Sequence, residues 1–163
     1  KKPNLDPDET KSYRPISPIS NLSFISKVIE RIVSEQVREY LIKSDLMPPL
    51  QSAYRPGHST ETALLKVISN IIDAADCQKV SLLSLLDTSA AFDTVDHSIL
   101  LDRLSISFGL TGSAFDWMRS FIVGRTQTVH YCGSVSRCAV VRSGVAQGSV
   151  LGPLLYVIYT ADI

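Results

Sequence analysis

Apolar residues recur along this chain in more than one rhythm, and each rhythm predicts a different element. Ile25, Val28, Ile29, Ile32, Val33, Val37, Tyr40 and Leu41 follow one another at three- and four-residue steps, with Lys27, Glu30, Arg31, Glu35, Arg38 and Glu39 on the other face. That is the period of an amphipathic helix with one stripe in the core. It begins after Asn21 and is stopped by Met47-Pro48-Pro49. Residues 51–60 carry no such period and read as a loop up to a cap at Ser59 or Thr60. A second helix follows, with Ala63, Leu64, Val67, Ile68, Ile71 and Ile72 as its apolar set, and runs out near Asp73 to Asp76.

The rhythm then changes. Residues 80–86 are too few for a typical helix and too uniformly apolar for a half-exposed strand, which predicts a strand buried on both faces with Asp87 at its carboxyl end. Helical patterns return over 98–108 and 113–122, separated by Gly109 and Gly112. Their core candidates are Leu100, Leu101, Leu104, Phe115, Met118, Phe121 and Ile122. Residues 126–131 and 137–141 read as two strands flanking the turn Gly133-Ser134-Val135-Ser136. Residues 154–159 are apolar and helical after Pro153, a residue suited to a first turn. The opening to about Asn21, rich in Pro, Ser, Asp and Lys, is expected to be extended and irregular. The class is α/β (α+β), without repeat or linker.

Composition narrows this picture. A chain of 163 residues, 45% hydrophobic and 20% charged, has the size of one domain and is not of disordered type. No apolar run reaches the roughly 18 residues needed to cross a bilayer, so no membrane partner is expected. The start, Lys1-Lys2-Pro3-Asn4, does not resemble a signal peptide. Sixteen basic residues balance sixteen acidic ones, so any grip on nucleic acid must depend on individually placed residues rather than bulk charge. Three cysteines are too few for a disulfide framework and fit a reducing compartment. His130, Cys132 and Cys138 lack the fourth ligand and the spacing of a zinc site.

Several residues carry candidate chemistry, each with a plainer reading beside it. Asp87 either caps the next element or, as a carboxylate at a strand's end, holds a hard divalent cation for phosphoryl chemistry. An aspartate-nucleophile phosphotransferase would want a second aspartate two positions on, where Ser89 stands. Asp93 and Asp96 read as solvated or capping, and His58 and His97 as structural. Phe92 by itself is a core ring. Gln147 and Gly148 form a tight turn before a helix, in which glycine permits close approach and the Gln amide both donates and accepts. Arg55 is either a surface charge or a planar fork suited to phosphate.

Two strings tip these alternatives: Leu85-Leu86-Asp87-Thr88-Ser89-Ala90-Ala91-Phe92-Asp93-Thr94-Val95-Asp96-His97, and Ser143-Gly144-Val145-Ala146-Gln147-Gly148-Ser149-Val150-Leu151-Gly152-Pro153. Together they resemble a reverse transcriptase, an RNA-directed DNA polymerase, in wording similar to the non-LTR, LINE-type retrotransposon branch, from about Ser12 to Ile163. The resemblance implies that Asp87, with the Thr88 carbonyl, holds Mg2+ or alternatively Mn2+. It implies that Phe92, five positions on, excludes a 2′-hydroxyl, and that Gln147 and Gly148 lie against the nascent base pair and template. Ala146 stands where the family commonly has proline. Gln51-Ser52-Ala53-Tyr54-Arg55-Pro56-Gly57-His58-Ser59-Thr60 resembles the fingers motif, in which Arg55 contacts the incoming triphosphate. Tyr13-Arg14-Pro15-Ile16-Ser17 and Lys27 resemble the motif preceding it, which assigns Arg14 and Lys27 to template and primer.

What the resemblance implies overall is the fingers and partial palm of a right-hand polymerase, incomplete, with about 1–76 fingers-like and about 77–163 palm-like. Its partners are an RNA template, a DNA primer or target and deoxynucleoside triphosphates, in an intracellular setting of nucleus and cytoplasm. The family's Tyr-Ala-Asp-Asp motif would fall beyond Ile163, so the fragment alone is expected to be inactive. The alternative is a catalytically dead or repurposed RNA-binding relic. Oligomeric state is left open.

Overall fold

A computed structural model of the chain describes residues 23–88, 90–146 and 148–161. The predicted irregular opening, Arg14 and Gln147 lie outside them. Helix α1 spans Ser23–Lys43, α2 Thr60–Asp76, α3 His97–Asp102, α4 Gly112–Ile122 and α5 Gly152–Tyr159. Strands β1 (Thr126–Gln127), β2 (His130–Tyr131), β3 (Ser134–Val135) and β4 (Ala139–Val140) are two residues each. The described residues are thus mixed helix with small antiparallel sheets, an α+β arrangement.

Local signals account for the helix ends. α1 closes on Asp45 in the left-handed region (φ 53°), with Leu46 N–H donating to the Leu41 carbonyl at 2.9 Å and Asp45 N–H to the Ile42 carbonyl at 3.2 Å. This paired closure folds Leu46 back onto the core. At the head of α2, Thr62 N–H donates to Ser59 Oγ at 3.2 Å and Ser59 N–H donates to Thr62 Oγ1 at 2.8 Å, a reciprocal cap. α3 runs on into a wider, π-helical turn at Arg103–Ser107, and α5 starts with Pro153 in its first turn.

The core is built from Val37 and Leu41 of α1, Leu100 of α3, Leu104 and Phe108 of and just after the π-helical turn, Met118 and Ile122 of α4, and Leu154, Leu155 and Ile158 of α5. Val95, Leu110, Val145 and Leu151 reach it from connecting segments. All seven core candidates of the 98–122 region are buried or packed against this cluster. Tyr40 Oη ties α1 to the end of the π-helical turn by donating to the Phe108 carbonyl at 2.9 Å.

The predicted hairpin forms, with a shifted tip. β1 pairs antiparallel with β4, Thr126 opposite Val140, and β2 with β3, His130 opposite Val135. The turn is Cys132-Gly133, both at positive φ (45° and 78°), a two-residue geometry whose twist matches that of the flanking strands. Ser134 and Val135, expected in the turn, are therefore in a strand. Between the two ladders the Ser136 hydroxyl takes the Val129 N–H at 2.9 Å in place of a backbone carbonyl.

Two expectations about burial are overturned. Residues 80–86 form no strand: Val80 is 97% and Leu86 83% exposed. A strand buried on both faces needs hydrogen-bonded neighbours at its edges, and the described strands pair only among themselves. The segment instead lies along α2, where Ser81, Leu82 and Leu83 share a shallow cleft with Val67, Asn70 and Ile71. α2 keeps its predicted bounds but has no buried residue. The second correction concerns α1, whose inward face is Glu30, Ser34, Val37 and Leu41, while Ile25, Val28, Ile29 and Ile32 of the expected stripe are exposed. Glu30, assigned to the outer face, is turned inward because hydrogen-bond donors await it there.

Candidate functional site

The two strings that looked related in sequence are joined in space. Gly144 N–H donates to the Val95 carbonyl at 2.7 Å and Val145 N–H to the Phe92 carbonyl at 2.8 Å, while Asp96 and Ser143 form an antiparallel bridge. Ser143 Oγ adds a bond to the Asp93 carbonyl at 3.2 Å. Gly144 is required here on two counts. Its φ is +89°, and a Cβ would sit 3.0 Å from Asp93 Cα, Asp93 O and Phe92 O.

His97, read from sequence as structural, has a backbone partner. Its buried ring donates from Nε2 to the Gly144 carbonyl at 2.8 Å, and since a carbonyl only accepts, that nitrogen carries the proton. Asp96 caps α3, its Oδ1 accepting the Ser98 N–H at 2.8 Å and the Ile99 N–H at 3.1 Å as well as the Ser98 hydroxyl. The Ser98 hydroxyl, then the Ile99 and Ser98 amides, hold the Asp96 carboxyl below the usual aspartate range. The capping reading of Asp96 from sequence agrees with this geometry.

On the far side of the loop, the buried Glu30 carboxylate of α1 accepts from Ser149 Oγ at 2.8 Å and from the Val150 and Leu151 amides at 2.7 and 3.3 Å. Ser149 Oγ in turn accepts the Leu151 and Gly152 amides, each at 3.1 Å. Gly148, at φ +84°, is exposed on the outer side of this turn. The described loop residues around Gln147 are thus fixed from both ends. Sequence reasoning missed Glu30 altogether, because a charged residue between apolar helical positions carries no sign of a partner 119 residues away.

The other expected site residues are dispersed. Phe92 is half-buried, packed on the core and against Tyr156 with ring centroids 5.1 Å apart. Asp87 and Thr88 are exposed at the end of the unpaired 80–88 stretch. Both offer oxygen donors of the kind a hard cation takes, but among the described residues no three His, Cys, Asp or Glu side chains converge as a metal site. Arg55 folds back on its own loop, with Nη1 donating to the Pro48 and Pro49 carbonyls at 3.5 and 3.3 Å. Lys27 projects from the exposed side of α1. Among the described residues, no helix is long and apolar enough to cross a membrane.

Comparison with known proteins gives this arrangement a family. The family model described as "Reverse transcriptase (RNA-dependent DNA polymerase)" matches residues 1–163. The chain is 36% identical over 162 residues to the probable RNA-directed DNA polymerase from transposon X-element of Drosophila melanogaster, and 33% identical to that from transposon BS of the same species. It is also 33% identical over 162 residues to the RNA-directed DNA polymerase from mobile element jockey of Drosophila funebris. Each alignment covers 99% of this chain but only 17% of the relative's length. No solved structure matches it. A family model spanning every residue, and relatives aligned over nearly the whole chain, establish that this chain belongs to the reverse transcriptase family.

Proposed function

We propose that the chain is the fingers (about 1–76) and partial palm (about 77–163) of an RNA-directed DNA polymerase that extends a DNA primer on an RNA template. The observation that supports this reading is the backbone joining of residues 92–96 to residues 143–145, in which the Phe92 carbonyl accepts the Val145 N–H within the second motif string. In a polymerase the position of Phe92 meets the nucleotide's sugar and that of Gln147 and Gly148 its base pair. A ring supported from behind, as Phe92 is by Tyr156, resists displacement by a 2′-hydroxyl.

Arg55 is assigned to the triphosphate, which must draw its guanidinium away from the Pro48 and Pro49 carbonyls; a charged phosphate is the stronger acceptor. Arg14 and Lys27 are assigned to the template and primer backbone. Asp87, with the Thr88 carbonyl, is one contributor to a Mg2+ or Mn2+ site whose remaining carboxylates lie outside the described residues. Bound there, the cation would neutralise charge on the transferring phosphate. The setting proposed is intracellular, in nucleus and cytoplasm.

The test is primer extension by a complete polymerase carrying this chain. Asp87→Asn keeps the side chain's size and removes its charge, so extension is expected to fall by at least about 100-fold, the scale of a lost electrostatic contact to the transition state. Asp93→Asn, at an exposed position, is expected to change it by less than about threefold, as substitutions away from the chemistry do. Equal losses from the two folded variants would defeat the assignment.

A further inference from the structure

We propose that Glu30 is a positioning residue for nucleotide selection, acting as the acceptor that fixes the downstream end of the Gln147-Gly148 loop. The inference rests on the polymerase reading for what the loop does, but not for how the loop is held.

Glu30 is 2% exposed, and no Lys or Arg among the described residues pairs with it. All its bonds are made by one oxygen: Oε2 takes Ser149 Oγ–H, Val150 N–H and Leu151 N–H. Oε1 is buried without a hydrogen-bond partner among the described residues. A buried carboxylate in place of an apolar side chain of equal volume is seldom the more stable choice. What it supplies is direction, because three donors converging on one oxygen specify one backbone path. That path begins immediately after Gly148. At the other end, Gly144 is held by the His97 ring and the Val95 carbonyl, and Val145 by the Phe92 carbonyl, so the described residues on the upstream side of the loop are fixed as well. A residue on α1, far from the motif in sequence, thereby fixes the backbone that follows Gly148.

The one-sided bonding makes a sharp distinction between variants. Glu30→Gln keeps an acceptor in the position of Oε2 and puts its amide nitrogen where Oε1 now has no partner. Glu30→Met keeps the length and offers no acceptor. Glu30→Asp keeps the charge but falls one methylene short.

The experiment has two arms. In the 163-residue chain, amide hydrogen exchange at Val150 and Leu151 is compared with that at Leu155. Glu30→Gln is expected to stay within about threefold of the parent, and Glu30→Met to accelerate exchange at 150 and 151 by at least about 30-fold, as loss of a charge-assisted bond allows. In a complete polymerase carrying the chain, Glu30→Met is expected to raise KM for deoxynucleotide about tenfold with primer-template Kd unchanged, and Glu30→Gln to restore most of it.

Equal behaviour of Gln and Met in the exchange arm would overturn the acceptor role. Faster exchange in Met without a change in nucleotide KM would overturn the link to selection. If Glu30→Met does not fold, Gln and Asp decide, since reach demands that Gln be retained and Asp lost, and the reverse order refutes it. A wild-type polymerase that extends no primer would remove the polymerase reading and the nucleotide role with it, leaving the exchange result to judge the loop's support.

Discussion

Leu86 and Leu155 are the same residue, each preceded by another leucine in an apolar run, yet one is 83% exposed and the other fully buried. The difference lies in their neighbourhoods. From Val95 to Ile158, helices, the π-helical turn and the motif loop surround one another and close a core. From Thr60 to Thr88, a well-capped helix and an apolar stretch bury nothing of α2 and leave 80–86 unpaired. Apolarity gives a segment the capacity to be buried, whereas burial itself needs a partner surface and, for a strand, a partner backbone.

Substituting the two leucines tests this contrast most strongly. Leu155→Ala is expected to cost about 2–5 kcal/mol, the range for opening a cavity in a packed core. Leu86→Ala should stay within about 0.5 kcal/mol, as exposed positions do. Urea denaturation of both variants measures the gap, and comparable losses would mean that 80–86 is packed in solution.

Gly144→Ala sharpens the comparison inside the ordered region. The added Cβ meets the backbone of Phe92 and Asp93 at 3.0 Å and φ is +89°, so a loss of about 1–3 kcal/mol is expected from strain alone. Gly57, also at positive φ but with open space around it, should tolerate alanine better. A thermal melt of the pair tests whether close approach to residues 92–93, rather than φ, sets the cost.

The smallest effect expected is that of pH at the start of α3. Asp96 has its folded pKa lowered by the bonds from Ser98 and Ile99, so its contribution is fully present above the ordinary aspartate value and is lost as pH falls through the folded value. Amide exchange at Ser98 and Ile99 should therefore quicken only in acid, and Asp96→Asn, which still caps but does not titrate in this range, should flatten that dependence.

What the chain announces about itself is local. The Ser59 cap, the proline at the head of α5, the hairpin and the leucines of α3 were legible because their causes lie within a few residues of them. The inward face of α1 was not, since Glu30 turns in to meet donors on Ser149, Val150 and Leu151, and no periodicity encodes a distant acceptor–donor match. The partner of His97 could not be read for the same reason, the carbonyl being 47 residues on. The roles proposed for Asp87, Phe92 and the Gln147-Gly148 pair rest on resemblance to a family, and their spacing alone left plainer readings standing. The unpaired state of 80–86 was illegible because composition records what a strand prefers, not whether another strand is at hand.

The bond between Glu30 and Ser149 also has a consequence for how the polypeptide is made. It closes a span of 119 residues, so its acceptor leaves the ribosome long before its donors exist. α2 needs only its own turn-by-turn contacts and can wind as soon as it emerges, whereas the loop must wait for α5 and for the slow search that distant contacts impose. Within this stretch, the loop on which nucleotide recognition is proposed to depend is thus assembled after α2. During synthesis, α1 carries a carboxylate that stays hydrated until the end of this stretch arrives to claim it.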